Sequence, residues 1–421
     1  MIVGDGYMNN RILSKKALAF LLILMIFSCS CDLFKNNSII KEIDVTIAYK
    51  TPIYTGTNGR LEIENNIAYL YEVESDGMCA INLDNGNVIW RKKNFFPCWS
   101  NPVVIGEKVY FMKDVPFDSS EPTEILELIK ETGEYVNKYT LGSNSSWRVR
   151  MFSIDGYKGK LYWGNDGGRN PTDIRGLVYF DTVTKEYGFC YRCGRLQIMN
   201  NIIAEDNVIY LVKSYSRDDF PDYEPSNPEY YPVLVALKTD ETDDNGEYKV
   251  KWELKDIACG MFPRNNAIIG NKIYVISGGM ICIDKETGKI IWRNEEYNGQ
   301  TTYYKGRFYS QSVDYTGYKF YCLDANTGET IWKIKLDGEL YKYSDSCDIN
   351  PQVNEGYVYY ITDNYMIVVD DRRGCVVSVD PKVRAGLLST GISVRYKDLM
   401  LFKSLEGYLY AVKMDMHRRG L

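Results

Sequence analysis

Apolar and polar residues alternate in short runs along most of this chain, as in Lys108-Val-Tyr-Phe111 and Lys272-Ile-Tyr-Val-Ile276. A period of two places every second side chain on one face, so each run reads as a half-buried strand. Tyr and Ile dominate the runs, and both favour a pleated, packed surface. Turn pairs separate neighbouring runs at Asp76-Gly77, Gly278-Gly279, Thr316-Gly317 and Glu406-Gly407. The pattern predicts antiparallel hairpins in series. No helical period of useful length follows the first thirty or so residues.

The hairpins come in repeating sets. Asp284-Lys-Glu-Thr-Gly288-Lys-Ile-Ile-Trp292 returns forty residues later as Asp324-Ala-Asn-Thr-Gly328-Glu-Thr-Ile-Trp332, and Asn82 to Gly86 and Trp90 keep the same spacing. Fainter copies run from Asp370 to Gly374, from Asp181 to Lys185 and through Glu131-Thr-Gly133. In a fourth-unit copy Trp252 lies six residues past Gly246, which fits a longer turn; elsewhere the Trp position holds Asn137, Phe189 or Ser378. The units fall at 60–96, 97–142, 147–195, 198–258, 261–297, 300–337, 348–385 and 388–415. A repeat of this length built from strands predicts an all-β, eight-bladed propeller of four-stranded antiparallel blades, with seven blades as the alternative. The last unit stops after its third strand, Gly407 to Val412, while Ile43 to Tyr49 alternates and has no unit of its own. An open edge at one end and an orphan strand at the other predict that the N-terminal strand completes the last blade and closes the ring. The domain then spans 42–415, followed by a tail at 416–421.

The motif itself reads as architecture. Gly86, Gly288 and Gly328 supply the positive φ of a tight turn, and Asp284 or Asp324 can cap its amides. Trp90, Trp292 and Trp332 are large flat rings suited to the gap between blades. Cys282 and Cys322 stand two residues before a motif Asp, where the first unit has Ala80, and so read as small core residues.

The Asp-x-x-Thr-Gly-x-x-x-Trp copies resemble the repeat of the PQQ-type (quinoprotein dehydrogenase-like) β-propeller family. That family holds quinone-dependent alcohol dehydrogenases and, nearest in kind to this chain, the non-enzymatic BamB-like outer-membrane assembly lipoproteins. The dehydrogenase branch implies a vicinal Cys-Cys disulfide, a calcium-holding carboxylate set and an Asp base. This sequence has no Cys-Cys pair; its tightest spacing beyond the N-terminus is Cys190-Tyr-Arg-Cys193, a single CxxC without the second pair of a structural zinc site. The one histidine, His417, stands in the tail, which leaves no Ser-His-Asp or Cys-His catalysis within the repeats. The acidic turn 241–246 reaches Trp252, not Glu, at the twelfth position of a calcium loop. The expectation is no enzyme, no cofactor and no metal.

The remaining features bear on location and partner. Arg11, Lys15 and Lys16 precede an apolar run from Ala17 to Phe27, too short to span a bilayer and suited to a signal peptide over 1–28. Ile26-Phe27-Ser28-Cys29 reads as a loose lipobox, making Cys29 the candidate lipidation site and 29–41 a tether. Ser30 after that cysteine favours the outer membrane by the bacterial sorting habit, whereas an anchor on Cys31, followed by Asp32, would favour the inner one.

The formal net charge is −6, and removing 1–28 takes three basic and one acidic side chain, which makes it more negative. That balance, with no basic stripe, argues against nucleic acid. Two insertions break the rhythm, at Asp114 to Glu124 and at Ser214 to Pro232. The second carries Asp218, Asp219, Phe220, Tyr223, Tyr230 and Tyr231 among prolines, and is the candidate partner-binding loop on the rim.

The reading is a lipid-anchored periplasmic scaffold that binds protein partners, with outer-membrane β-barrel assembly as the role the resemblance implies. The alternatives are a quinone-dependent enzyme and a surface propeller that binds glycans through some of its 36 tyrosines.

Overall fold

The structure is a computed structural model that describes residues 41–42, 46–53, 61–72, 77–93, 102–112, 122–141, 155–165, 175–194, 196–198, 202–214, 231–255, 257, 267–297, 299–314, 317–337, 349–362, 364–380, 393–404 and 407–416. Its strands form eight antiparallel sheets, each built on four strands and two of them extended by a further two-residue strand, arranged as an eight-bladed propeller. Seven blades take their four strands from one stretch of chain, at 62–92, 103–141, 155–192, 203–254, 268–294, 300–335 and 352–380. No α-helix occurs among the described residues, and none there is long and apolar enough to cross a membrane.

The eighth blade is a composite. Val394–Tyr396, Leu399–Ser404 and Tyr408–Lys413 supply three strands, and Ile47–Pro52 pairs antiparallel with the last of them. The N-terminal strand thus closes the ring as the alternation predicts, but it starts later than the expected Ile43; residues 43–45 lie outside the described ones. Its register is set by Tyr49 opposite Ala411, which carries the strand on to Pro52. Proline is harmless there, because the outermost strand needs no amide on its free side. The fourth blade explains the displaced Trp252: its third strand, Val233–Thr242, runs ten residues and meets Tyr248–Leu254 across a register shift after Lys238.

Within a blade the antiparallel meander puts the tight turns of strands one–two and three–four on one face. The hairpins between first and second strands use two positive-φ residues, such as Lys305 (47°) with Gly306 (83°) and Glu355 (47°) with Gly356 (84°). Such paired left-handed residues match the twist of the flanking strands.

Hydrophobic packing lies between blades rather than within them. One cluster joins Tyr69, Met78 and Trp90 of the first blade to Val109, Phe111 and Leu128 of the second. Another joins Ile53, Leu70 and Cys79 to Leu401, Leu409 and Ala411 across the closing seam. Between the sixth and seventh blades Phe320 stacks on Tyr360 with ring centres 3.8 Å apart. Each sheet therefore depends on both neighbours for its core, the condition that makes a ring cooperative.

Candidate functional site: the turn face and its seams

The repeat residues come together at the seams on the turn face. Asp284 Oδ1 accepts from the Thr287 amide at 2.8 Å and the Glu286 amide at 3.1 Å, and the Gly288 amide donates to the Asp284 carbonyl at 2.9 Å. Asp324 holds its turn likewise through Asn326 and Thr327, at 2.8 and 2.9 Å. The Trp of one blade then lies on the Gly of the next. A Cβ on Gly328 would fall 2.6 Å from Trp292, and the same holds for Gly288 under Trp252 and Gly133 under Trp90.

Each indole also donates to the carbonyl next in that turn: Trp90 to Lys130 at 2.8 Å, Trp252 to Lys285 at 3.0 Å, Trp292 to Ala325 at 3.3 Å and Trp332 to Asp371 at 2.8 Å. Trp252, displaced in the sequence, is in place in space. Cys282 and Cys322 are fully buried opposite Trp292 and Trp332, where a small side chain leaves room for the indole.

Gly86 of the first blade is covered by no Trp. Tyr49 of the closing strand covers it: a Cβ on Gly86 would lie 2.4 Å from the Tyr49 ring, and the Tyr49 hydroxyl donates to the Leu83 carbonyl at 2.8 Å. Burial first, then Tyr396 and Asp84, push this phenol up to about 12, so it stays a donor at ordinary pH. Sequence reasoning missed this role; only the position opposite a small residue, Ala411, marks it.

Between the second and third blades a polar group stands where others have Trp. Tyr139 donates to Glu127 at 2.5 Å, and Lys185 lies 3.4 Å from the same carboxylate and 4.8 Å from the Tyr139 ring centre.

Of the residues expected to bind a partner, Asp218, Asp219, Phe220, Tyr223 and Tyr230 lie outside the described residues, as do Cys29 and His417. Tyr231 is described and exposed. At the root of that insertion Lys213 donates to Tyr191 at 2.7 Å and to Glu253 at 2.8 Å. Cys79, Cys190, Cys193, Cys282, Cys322 and Cys375 are free thiols. Among the described residues no three His, Cys, Asp or Glu side chains converge as a metal site would require.

Two charged groupings stand apart from the motif. The first is a cavity of about 500 Å³ on the turn face between the sixth and seventh blades, lined by Tyr304, Lys305, Arg307, Tyr309, Glu355, Gly356, Tyr357, Asp370, Asp371 and Arg372. Arg307 pairs with Asp371 at 2.9 Å on its floor. Arg395 reaches over from the eighth blade, 5.1 Å from the Tyr304 ring centre. Burial alone would raise the Tyr304 phenol, but Arg395 and Lys305 outweigh it and hold the group below the usual tyrosine value.

The second lies at the closing seam near the opposite face. Glu72, fully buried, takes two bonds of 3.1 Å from Arg91, which also donates to the Pro52 carbonyl at 2.7 Å. Beside it is the buried Lys403, whose ammonium burial pushes down to about 8 against the opposing pull of Cys79 and Glu72.

Residues 277–415 match the family model described as outer membrane protein assembly factor BamB. Among solved structures the chain is similar to BamB from Moraxella catarrhalis, at 12% identity over 89% of this chain and 99% of that one, with a TM-score of 0.61. It is also similar to a europium-containing methanol dehydrogenase (10% identity, 87% and 84% covered, TM-score 0.58) and to the computationally designed Ika8 protein (10%, 86% and 98%, 0.56). At such identities the likeness is one of fold, and it joins proteins of different function. No curated protein matches the sequence. The repeat, the eight blades and the matched C-terminal units together resemble the PQQ-type β-propeller repeat, and over residues 277–415 that resemblance extends to the family model itself.

Proposed function

We propose that this chain is a non-catalytic, lipid-anchored periplasmic scaffold that binds protein partners in the assembly of outer-membrane β-barrel proteins. The observation that carries the reading is the match of residues 277–415 to the BamB family model. The chemistry of the repeat agrees with it. The motif residues Asp284 and Gly288 are engaged within their own turn, and Trp292 bonds across the seam to the next blade. What a rigid ring offers a partner is its two faces and the loops upon them.

The test is recovery of partners from crosslinked membranes using the full lipidated chain. Recovery of an outer-membrane barrel protein or its assembly factor is expected; recovery of surface glycans alone would overturn the proposal. Labelled fatty acid should enter the protein through Cys29. Incorporation that survives Cys29→Ala but not Cys31→Ala would move the anchor and the membrane with it. Deleting 214–232 should lower partner recovery while the ring stays folded, and unchanged recovery would remove that loop from the interface.

A further inference from the structure

We infer that the cavity between the sixth and seventh blades is a binding site for an acidic peptide segment, with Lys305 and Arg372 receiving its carboxylate and Glu355 accepting a backbone N–H beside it. This deepens the scaffold reading, on which it rests, by naming a face and a chemistry for the partner.

The argument begins with which charges are already matched. Asp371 is paired with Arg307. Asp370 accepts the Arg372 and Arg373 amides at 3.0 Å each and pairs with the Arg373 guanidinium at 2.8 Å, so it serves its own turn. Arg395 spends its donors on neutral acceptors, the Val353 and Lys397 carbonyls and the Asn354 side chain, each at 2.9 Å. Among the described residues its charge meets no carboxylate. Lys305 sits 5.1 Å from the Tyr304 ring centre, and among the described residues neither its ammonium nor the Arg372 guanidinium makes an ion pair. Three cations therefore face the cavity region against one unengaged carboxylate, Glu355. The lowered Tyr304 phenol reports the same positive field.

That field stands out on a chain whose formal net charge is −6. A concave site with low-dielectric walls concentrates such a potential and draws the opposite charge. The volume lies in the range of sites that enclose a small ligand or a few side chains, and is too small for a folded domain. Tyr304, Tyr309 and Tyr357 give it aromatic walls. Glu355 decides the ligand class: a bare anion would meet repulsion there, whereas a peptide brings an N–H within reach of its carboxylate. Lys305 and Glu355 are held by paired positive-φ hairpins at the strand ends, which makes the site rigid before the ligand arrives.

The test uses the purified full chain and calorimetric titration with acetyl-Ala-Glu-Ala-amide, its Gln isostere and free L-glutamate. The Glu peptide should bind and weaken with added salt. The Gln isostere should bind about tenfold more weakly, as expected for loss of one charge-assisted contact. The double variant Lys305→Asn, Arg372→Gln should lose about the same factor with an unchanged melting temperature, Asn being tolerant of the left-handed backbone at that position. Equal binding of the Glu and Gln peptides, undiminished binding by the double variant, or absence of Glu-peptide binding would overturn the site. Binding of L-glutamate without the peptide would replace the peptide with a free amino acid and overturn the inference as stated. None of these outcomes bears on partner recovery from membranes, so the two proposals fail separately.

Discussion

The hydroxyl of Tyr49 donates to the carbonyl of Leu83 at 2.8 Å, and this bond reproduces the indole bonds of the other seams with a different side chain. Tyr49 sits opposite Ala411, as Trp90 sits opposite Ala80 and Trp252 opposite Ala236. The closing seam, where the two ends of the domain meet, is therefore built on the same plan as the continuous ones.

Tyr49 should consequently behave as a motif residue. Tyr49→Phe removes one hydrogen bond and should cost about 1 kcal/mol. Tyr49→Ala also removes the ring over Gly86 and should cost about 3 kcal/mol. Tyr49→Trp should come within about 1 kcal/mol of the parent, because the indole N–H can reach the same carbonyl. Denaturant unfolding of the three variants checks the order; equal effects for Phe and Ala would refute the packing role.

The glycines of the turn face separate two costs that usually occur together. Gly306 and Gly328 both have positive φ, at 83° and 76°, but a Cβ on Gly306 would meet nothing while one on Gly328 would strike Trp292. Gly306→Ala should cost about 1–2 kcal/mol for the backbone alone. Gly328→Ala should add about 1–3 kcal/mol of overpacking. If the two match, the indole yields freely and the seam is looser than the structure has it.

Legibility in the sequence follows chemistry. The propeller was readable because Asp, Gly and Trp at fixed spacing are each demanding residues: a turn cap, a positive φ and a large ring. Where a seam uses common residues the signal fades. Tyr49 is one of 36 tyrosines, and Glu127, Tyr139 and Lys185 form their group from three separate strands and turns. The cavity was invisible for the same reason. Lys305, Glu355 and Arg372 lie in ordinary turns, and only the ring brings turns 50 and 67 residues apart to one place.

The thiols offer a test of the seams from the chemical side. Burial pushes Cys79 and Cys190 well up, Cys193 and Cys322 to about 12, and Cys282 to about 11. A buried thiol held protonated is a poor nucleophile. Iodoacetamide at neutral pH should therefore leave these five unmodified in the native protein and modify all of them after denaturation. Half-buried Cys375 serves as the internal comparison. Mass mapping that finds any of the five alkylated natively as fast as Cys375 would show that its seam opens.

Lys403 gives the closing seam a dependence on pH whose sign can be worked out. Its folded value of about 8 lies below the ordinary lysine value of 10.5, so the fold disfavours the charged form. Below about pH 8 the ammonium is charged in both states and the penalty, on the order of 3 kcal/mol at most, is fully present. Between there and about 10.5 the unfolded chain still holds the proton that the folded chain has released, so stability rises with pH and the penalty is relieved. Lys403→Met keeps the length of the side chain and removes the charge. It should be more stable than the parent at pH 7, with the difference shrinking across that window as the parent loses its proton. Replacing Glu72 instead should destabilise, since it removes the carboxylate that accepts two bonds from Arg91 and that offsets the buried charge of Lys403. Melting curves of the parent and Lys403→Met from pH 7 to 10 provide the measurement. A stability difference that stays constant with pH would show that the lysine stays charged in the fold, paired more strongly with Glu72 than the effect of burial allows.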